Sequence, residues 1–334
     1  MPLYLLDMEK LDDYISFYNE IHPEIKDAKK RFLWQFIDNP FLDDKNAPYV
    51  LLFSKEGKIV GQSLLNPFEW HYQGKTYRDY FGNDLYVMEE YRGSIGSALA
   101  IKTIGDRTNY FGIGFSKIAE NIWKHLGVRK IGNEKKFIWL HNPLKLMKVV
   151  HPCKFLGNQI PLKLPKKISQ DNMLFSLMPD FESIGLWKEN YWKDTLQFSH
   201  NKDFIRWRFF ESPRKYHFYF AGDSYFVVRR SFFRGLNLLL LVDYRVQYMN
   251  KEAFRSIIRI TKNIAKMNRM DGVFAVSSHK FFDDILKKNF FLDIRGRGLI
   301  MTNKTLNVSV DKIKKRELVY ATMADSDVEL ALFQ

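Results

Sequence analysis

The chain has 334 residues, and hydrophobic residues make up 46% of them, which is enough for sizeable cores and comfortable for two domains. This composition excludes a disordered chain, and the absence of an apolar run near the roughly 20 residues of a membrane span excludes a membrane-spanning helix. The net charge of +14 is uneven, because residues 1–150 carry 21 basic and 19 acidic side chains while residues 151–334 carry 31 and 19. An anionic partner is therefore expected on the second half.

Two further features indicate a cytoplasmic protein. The single cysteine, Cys153, rules out an internal disulfide and suits a reducing compartment. The first residues, Met1-Pro2-Leu3-Tyr4, lack the basic region and apolar core of a secretory signal.

The first elements are predicted from periodicity and turn residues. An opening strand covers residues 3–6, a first helix follows, and a second helix ends before Pro40 because the residue before a proline disfavours helix. Glycine-containing turns then join the predicted strands 49–53 and 59–65, and likewise the predicted strands 68–72 and 76–87. A strand at residues 136–140 is expected to close the first domain.

The stretch at residues 80–128 carries the functional prediction. It reads as a strand (80–87), a small-residue turn, a helix from about Ile95, a second strand (110–114), and a helix that Gly127 ends as a left-handed cap. This order can hold a pyrophosphate, because free N–H groups and the positive end of the helix dipole both face the turn.

The residues of this stretch resemble the acyl-CoA N-acyltransferase (GNAT) superfamily. The resemblance lies in Leu85-x-Val87, in the turn Tyr91-Arg92-Gly93-Ser94-Ile95-Gly96-Ser97-Ala98-Leu99, and in Leu126-Gly127-Val128. It implies acetyl-CoA or a longer acyl-CoA as co-substrate. The implied cofactor-binding residues are Leu85, Val87, Arg92, Gly93, Ser94, Ile95, Gly96, Ser97 and Asn121.

The second half repeats the first. The segment Trp34-Gln35-Phe36-Ile37-Asp38-Asn39-Pro40 returns as Trp207-Arg208-Phe209-Phe210-Glu211-Ser212-Pro213, and the same order of predicted elements follows. Asn289 takes the place of Gly127 as the expected left-handed cap. The second copy has no glycine between Leu236 and Asp271, so the first copy is the one expected to bind CoA.

The predicted fold class is therefore α/β, with tandem GNAT-like domains that are each a mixed, mostly antiparallel sheet flanked by helices. The predicted division is an acyl-CoA-binding domain at 1–150, a connection at 151–195, a degenerate second domain at 196–310 and a C-terminal tail at 311–334.

Acyl transfer to an amine also needs a proton acceptor and a proton donor. Asp84 is the chosen base, since apolar neighbours favour partial burial, and Glu89 and Glu90 read better as solvated turn residues. The family often places a tyrosine acid where this chain has Trp123. Tyr86 is therefore the chosen acid, with Tyr110, Ser116 or unassisted departure of the thiolate as alternatives.

The leading hypothesis is an N-acyltransferase that moves an acyl group, with acetyl as the first choice, to a small primary amine in a ternary complex. An amino sugar or another envelope precursor is a plausible acceptor, in a groove lined by aromatic side chains and by Arg206, Arg208, Arg229 and Arg230. No metal is expected, because CxxC, HExxH and EF-hand spacings are missing.

The rival hypothesis is a non-catalytic module on a decayed acyltransferase fold. Basic residues alternate with aromatic ones at residues 206–210 and 229–234, where they could contact phosphates and stack bases. Such rings more naturally lie in a core, so nucleic acid is not the expected partner. The helix from Asn250 adds a basic stripe of Arg255, Arg259, Lys262 and Lys266, read as a solvated face or as a docking surface.

Overall fold

Two mixed sheets, mostly antiparallel and flanked by helices, make up the protein, which confirms the predicted α/β fold class. The computed structural model describes residues 3–23, 25, 27–105, 110–113, 117–145, 147, 161–185, 187, 189–302 and 309–325. Ser116, one of the alternative acids, lies outside the described residues, as does the end of the predicted strand at 110–114.

The first half alternates strands and helices in the predicted order. Its strands are β1 (Leu3–Leu5), β2 (Val50–Lys55), β3 (Lys58–Tyr72), β4 (Lys75–Val87), β5 (Tyr110–Phe111) and β6 (Arg129–Leu140). Its helices are α1 (Leu11–Ile21), α2 (Ala28–Phe32) with a π-helical turn at Leu33–Ile37, α3 (Ser94–Gly105) and α4 (Lys117–His125).

The second half repeats this order from its π-helical turn onward, and it has three short strands before that turn and a further helix and strand at its end. Its strands are β7 (Lys167–Gln170), β8 (Met173–Met178), β9 (Leu196–Phe198), β10 (His217–Ala221), β11 (Ser224–Phe233), β12 (Leu236–Arg245), β13 (Gly272–Ser277), β14 (Leu292–Thr302) and β15 (Val319–Tyr320). Its helices are α5 (Lys202–Ile205) with a π-helical turn at Arg206–Phe210, α6 (Lys251–Met267), α7 (Lys280–Lys288) and α8 (Val310–Lys315).

The two sheets exchange strands. The first sheet runs β1-β2-β3-β4-β5, and β9 pairs with the far end of β3 while β15 pairs with β9. The second runs β14-β6-β13-β12-β11-β10-β8-β7. The prediction that residues 136–140 close the first domain is therefore wrong, because β6 lies between β13 and β14. Apolar alternation identifies a strand but carries no information about which sheet edge it joins.

The predicted boundaries at residues 150, 195 and 310 consequently do not coincide with the sheets. The predicted connection contains β7 and β8, which form a hairpin at the edge of the second sheet. The predicted tail contains β15, which returns to the first sheet. Strands of four and six residues, as β7 and β8 are, are too short to show a clear alternation, and that is why the sequence reads as a connection there.

The internal repeat is visible as a reciprocal contact between the two π-helical turns. The indoles of Trp34 and Trp207 stack with centroids 5.1 Å apart. Trp34 Nε1 donates to the Trp207 carbonyl oxygen at 3.0 Å, and Trp207 Nε1 donates to the Trp34 carbonyl oxygen at 2.7 Å. Equivalent residues of the two copies thus make the same contact from both sides.

Two local predictions also need correction. Residues 59–65 and 68–72 form one strand, β3, because Pro67 lies past the last β2 pair, Val50 with Leu64, where no hydrogen bond to β2 is lost. Gly127 has a φ of +79° and caps α4 as predicted, whereas at the end of α7 the left-handed residue is Phe290 and not Asn289.

The largest core lies between the two halves. It joins side chains of β3 and β4 with side chains of β10, β11 and β12, including Phe68, Phe81, Phe218 and Val227. Smaller clusters lie under α1 and α2 on one face of the first sheet and under α3 and α4 on the other. No helix in the described part of the chain is long and apolar enough to cross a membrane.

Candidate active site

The central feature of the first sheet is the point at which β4 and β5 part. The two strands pair in parallel only at Tyr80 with Tyr110 and at Phe81 with Phe111. Beyond Phe81, β4 continues to Val87 with no hydrogen-bonded neighbour on that side among the described residues. An extended ligand with amide groups can pair with this edge as a neighbouring strand would.

A glycine allows the parting. The ring of Tyr110 lies over Gly82, where a Cβ atom would come within 1.7 Å of the Tyr110 hydroxyl oxygen. The buried Tyr110 ring packs in turn against Trp123 of α4, at a centroid distance of 4.6 Å. Trp123 is therefore a core residue.

A β-bulge lies just beyond the parting point. Gln62 pairs with Tyr86 and Leu64 with Asn83, so β4 has one more residue than β3 between these pairs. Asp84, within the bulge, has a φ of +43°, which is uncommon outside glycine although aspartate tolerates it. The bulge bends the strand and aims the Asp84 side chain away from the α3 face.

The predicted phosphate turn joins β4 to α3. A short 3-10 turn, Glu89–Tyr91, leads to Gly93, whose φ of +108° requires glycine. The helix begins at Ser94, so the N–H groups of its first turn have no intrahelical acceptor.

The remaining predicted cofactor residues are arranged around this turn. A Cβ on Gly96 would lie 3.8 Å from Val87 Cγ2, so the helix starts against the end of β4. The Arg92 side chain is 58% exposed; its Nη1 lies 3.6 Å from Glu89 Oε1, and its Nε donates a long hydrogen bond of 3.5 Å to the Val87 carbonyl oxygen. Ser97 donates its N–H to the Gly93 carbonyl oxygen, and Asn121 is an exposed residue of α4.

The predicted base has a partner that sequence reasoning missed. Asp84 Oδ2 lies 2.6 Å from His22 Nε2 and accepts a hydrogen bond from Gln62 Nε2 at 2.7 Å. Gln62 is held by the buried Tyr14 hydroxyl, which donates to Gln62 Oε1 at 3.0 Å. Burial raises the pKa of the Tyr14 hydroxyl well above its usual value, so this donor stays protonated.

Tyr86 lies on the same side of the strand as this pair, with its ring 6.4 Å from the His22 imidazole. His22 directly follows the last residue of α1. Only its place at a helix end distinguishes it in the sequence, since 62 residues separate it from Asp84.

A pocket opens on the same face of β3 and β4, between the two halves of the chain. It encloses about 580 Å³, including its open mouth. Its lining residues are Trp34, Gln35, Asn39, Phe41, Asn66, Pro67, Phe68, Glu69, Phe81, Asn83, Phe198, Ser199, Phe204, Trp207, Arg208, Ala324 and Asp325. Of the four arginines predicted to line a groove between the copies, this pocket has Arg208.

A buried ionic network supports the wall of this pocket. His200 Nε2 lies 2.5 Å from Asp325 Oδ1 and His200 Nδ1 lies 2.9 Å from Asp243 Oδ2, while Arg245 Nη2 lies 3.4 Å from Asp325 Oδ2. Burial and Arg245 lower the pKa of the His200 imidazole, but the two carboxylates outweigh them and raise it overall. Next to this network, burial raises the pKa of the Glu189 carboxyl to about 7.

The second copy has no comparable opening between its parallel strands β12 and β13. The chain itself covers this place, because Tyr320 donates its hydroxyl to the Tyr244 carbonyl oxygen at 2.7 Å and Ser278 Oγ donates to the Val319 carbonyl oxygen at 2.9 Å. Both tyrosines are fully buried. This closure agrees with the absence of glycine from the segment that leads into α6.

The side chains of two other predicted binding surfaces, the segment 206–210 and the basic stripe of α6, contact residues of this chain. In the segment 206–210, Trp207, Arg208 and Phe209 are buried and cannot stack on bases. In the basic stripe of α6, Arg255 pairs with Glu252, Arg259 pairs with Asp171 and Lys262 donates to the Asn289 carbonyl oxygen. Across the described residues, no three His, Cys, Asp or Glu side chains form a group that could hold a metal ion.

Comparison with known proteins gives structural matches only. No family model and no curated protein matches the sequence. A GCN5-related N-acetyltransferase from Anabaena variabilis matches at 14% identity with a TM-score of 0.56, over 90% of this chain and 71% of that chain. One from Kribbella flavida matches at 13% identity with a TM-score of 0.58, over 90% and 70%.

The N-myristoyltransferase of Saccharomyces cerevisiae with bound myristoyl-CoA is also similar. It matches at 16% identity with a TM-score of 0.58, over 92% of this chain and 80% of that chain. Because these matches cover 90% or more of this chain, they include most of both halves. The chain therefore has the tandem GNAT fold that is shared by these N-acetyltransferases and N-myristoyltransferases.

Proposed function

We propose that this chain is an acyl-CoA-dependent N-acyltransferase that transfers an acyl group directly to a primary amine in a ternary complex. The observation that carries the proposal is the parting of β4 and β5 beside the Asp84 bulge, with a small-residue turn and a helix N-terminus at the end of β4. The myristoyl-CoA bound to the similar yeast enzyme supports an acyl-CoA as co-substrate.

In this proposal the turn holds the pyrophosphate of CoA. The N–H groups of Ser94, Ile95 and Gly96 face the anion, and the exposed Arg92 guanidinium adds a positive charge. Main-chain groups of Leu85 and Val87 pair with the amides of the pantetheine arm. The thioester then lies near the bulge, between the α3 side and the acceptor pocket.

The Asp84–His22 pair takes the first proton from the acceptor ammonium and passes it to solvent through the partly exposed His22. The free amine attacks the thioester carbonyl carbon, a C–N bond forms, and the C–S bond breaks. The second proton leaves the nitrogen as the thiolate departs, and Tyr86 relays it to sulfur. Both protons and the leaving group are thereby accounted for.

The acceptor is a small primary amine that enters from the pocket between the halves. The amino sugar implied by the resemblance, the preference for acetyl over longer chains and the cytoplasmic location all stay predictions. Activity with a series of acyl-CoAs from acetyl to myristoyl tests the preference for acetyl.

The first experiment is calorimetric titration of the protein with acetyl-CoA and with myristoyl-CoA. Gly96→Trp places an indole in the phosphate turn, and we expect it to abolish binding, while Arg92→Ala weakens it about tenfold through the loss of one charged contact. Gly105→Trp is the matched control, since it lies on the same helix and a Cβ there meets no atom within 4 Å. Equal affinity of the native protein and Gly96→Trp would contradict the assignment of the turn.

A further inference from the structure

The acceptor pocket has its floor at the point where β4 and β5 part. Asn66 of β3 pairs in register with Phe81 of β4, and Phe81 pairs with Phe111 of β5. A thioester that enters between β4 and β5 under the proposed function therefore ends beside this floor. The group that receives the acyl chain has to reach the same point from the pocket.

The walls of the pocket are aromatic on both sides. Rings of the first half, at Trp34, Phe41, Phe68 and Phe81, face rings of the second half at Phe198, Phe204 and Trp207. All of these side chains are largely buried, and they pack on one another, as Phe68 does on Phe198 at 5.1 Å. Rigid aromatic walls of this kind favour an apolar, ring-shaped occupant.

Two of the three charged residues that line the pocket, Arg208 and Asp325, already have close protein partners. Arg208 donates to the Ala324 carbonyl oxygen at 3.2 Å and to the Tyr216 hydroxyl at 2.7 Å. Asp325 accepts from the Thr322 N–H at 2.7 Å and lies against His200. A phosphate would therefore meet one engaged guanidinium and two carboxylates, Asp325 and Glu69, and a phosphorylated or nucleotide-linked amine does not suit this pocket.

One polar atom at the floor of the pocket has an unsatisfied hydrogen-bonding capacity. Asn66 Oδ1 is buried and has no hydrogen-bond partner among the described residues. The neighbouring Asn83 makes one long hydrogen bond, from Nδ2 to the Phe81 carbonyl oxygen at 3.5 Å. A buried carbonyl oxygen without a donor is costly, and an N–H group of a ligand would satisfy it.

We propose that the acceptor is a primary amine carried by an uncharged, apolar ring. The ring packs between the aromatic walls, and an N–H of the amine donates to Asn66 Oδ1, which holds the nitrogen at the end of the parting strands. Asn66 is thus a specificity-determining residue. This inference rests on the proposed function for its chemistry, whereas the binding of the amine can be measured without CoA.

The test is calorimetric titration of the full chain with three amines: 2-phenylethylamine, ethylamine and glucosamine 6-phosphate. We expect 2-phenylethylamine to bind at least about tenfold more tightly than ethylamine, because only its ring fills the aromatic walls. Glucosamine 6-phosphate is expected to bind no better than ethylamine. Tighter binding of glucosamine 6-phosphate would overturn the inference.

Asn66 variants test the polar contact. Asn66→Leu removes the acceptor and is expected to weaken 2-phenylethylamine binding about tenfold, whereas Asn66→Asp keeps an acceptor oxygen and retains binding. Asn46→Leu, in an exposed turn outside the pocket, is the control. Equal affinities of Asn66→Leu and the native protein would place the amine elsewhere. A parallel CoA titration distinguishes failure of the proposed function from failure of the Asn66 contact. If CoA does not bind, the proposed function is contradicted, whereas the amine contact at Asn66 is not.

Discussion

Asp84 combines an uncommon backbone conformation with two polar side-chain partners. It has a left-handed backbone conformation in a bulge, and its carboxylate joins His22 and Gln62 at the point where the proposed thioester lies. We expect Asp84→Asn to lower kcat about 100-fold, since the amide cannot accept a proton. Asparagine tolerates this backbone conformation, so the fold and CoA affinity should be unchanged.

The assay is release of CoA thiol with 2-phenylethylamine as acceptor, alongside CoA titration. Asp171→Asn is the control, because Asp171 is another left-handed aspartate, in a turn remote from β4. His22→Gln is expected to lower kcat as well. Full activity of both Asp84→Asn and His22→Gln would remove this pair from the proton path.

Glu189 provides a pH-dependent stability at the edge of the buried network. Its pKa rises from 4.5 to about 7 on folding, chiefly through burial. A carboxyl with a raised folded-state pKa stabilises the protein below its unfolded pKa, and this contribution is lost as the pH rises through 7. Between pH 4.5 and 8, Glu189→Gln should therefore gain up to ~3 kcal/mol relative to the native protein.

Urea unfolding of both proteins at pH 4.5 and at pH 8 measures this gain. Glu211→Gln, at an exposed position, should show no such trend. If the difference in unfolding free energy between the native protein and Glu189→Gln is the same at both pH values, Glu189 ionises normally in the folded state.

At the scale of elements, the sequence predicts what depends on local chemistry. Gly127 takes the positive φ of the predicted helix cap, a small-residue turn precedes α3, and the repeat around Trp34 and Trp207 marks two equivalent turns. These signals lie within a few residues of the feature that they specify. The order of elements and the turn before α3 could thus be predicted.

The features that the sequence does not reveal depend on contacts between distant segments. The bulge at Asp84 follows from the register of β3 against β4, and the His22 contact follows from how α1 crosses the sheet. The orphaned oxygen of Asn66 is recognisable only once every neighbouring donor is placed. Candidate residues on β4 could therefore be proposed, whereas their partners and the pocket could not.

The reciprocal tryptophan contact between the π-helical turns can be measured as a coupling. Trp34→Phe and Trp207→Phe each keep an aromatic ring and remove one N–H donor, so each should cost about 1–2 kcal/mol of stability. Because the rings also stack, the double variant should depart from additivity by about 1 kcal/mol.

Urea unfolding of the four proteins in the double-mutant cycle gives the coupling energy. Trp34→Phe combined with Trp139→Phe, on β6, is the control pair and should be additive within about 0.5 kcal/mol. Additivity of the Trp34 and Trp207 variants would mean that the two turns pack independently.

At the scale of the whole molecule, the two copies differ at the place where their parallel strands end. The first has parting strands and a glycine turn, and the second has filled the same place with Tyr244 and Tyr320. The second copy still forms half of the acceptor pocket through Phe204, Trp207 and Arg208. Under the proposed function, one copy supplies the co-substrate site and both supply the acceptor site.

The exchange of β6 for β9 and β15 has a consequence for how such a chain can change over generations. A gene that loses the second repeat would also lose strands that complete the first sheet, and β6 would be left without either of its neighbours, β13 and β14. Each repeat therefore depends on strands of the other, and neither repeat can be lost or recombined on its own. Under the proposed function, the second copy is needed to complete the fold, and its side chains in the pocket contribute to the choice of acceptor.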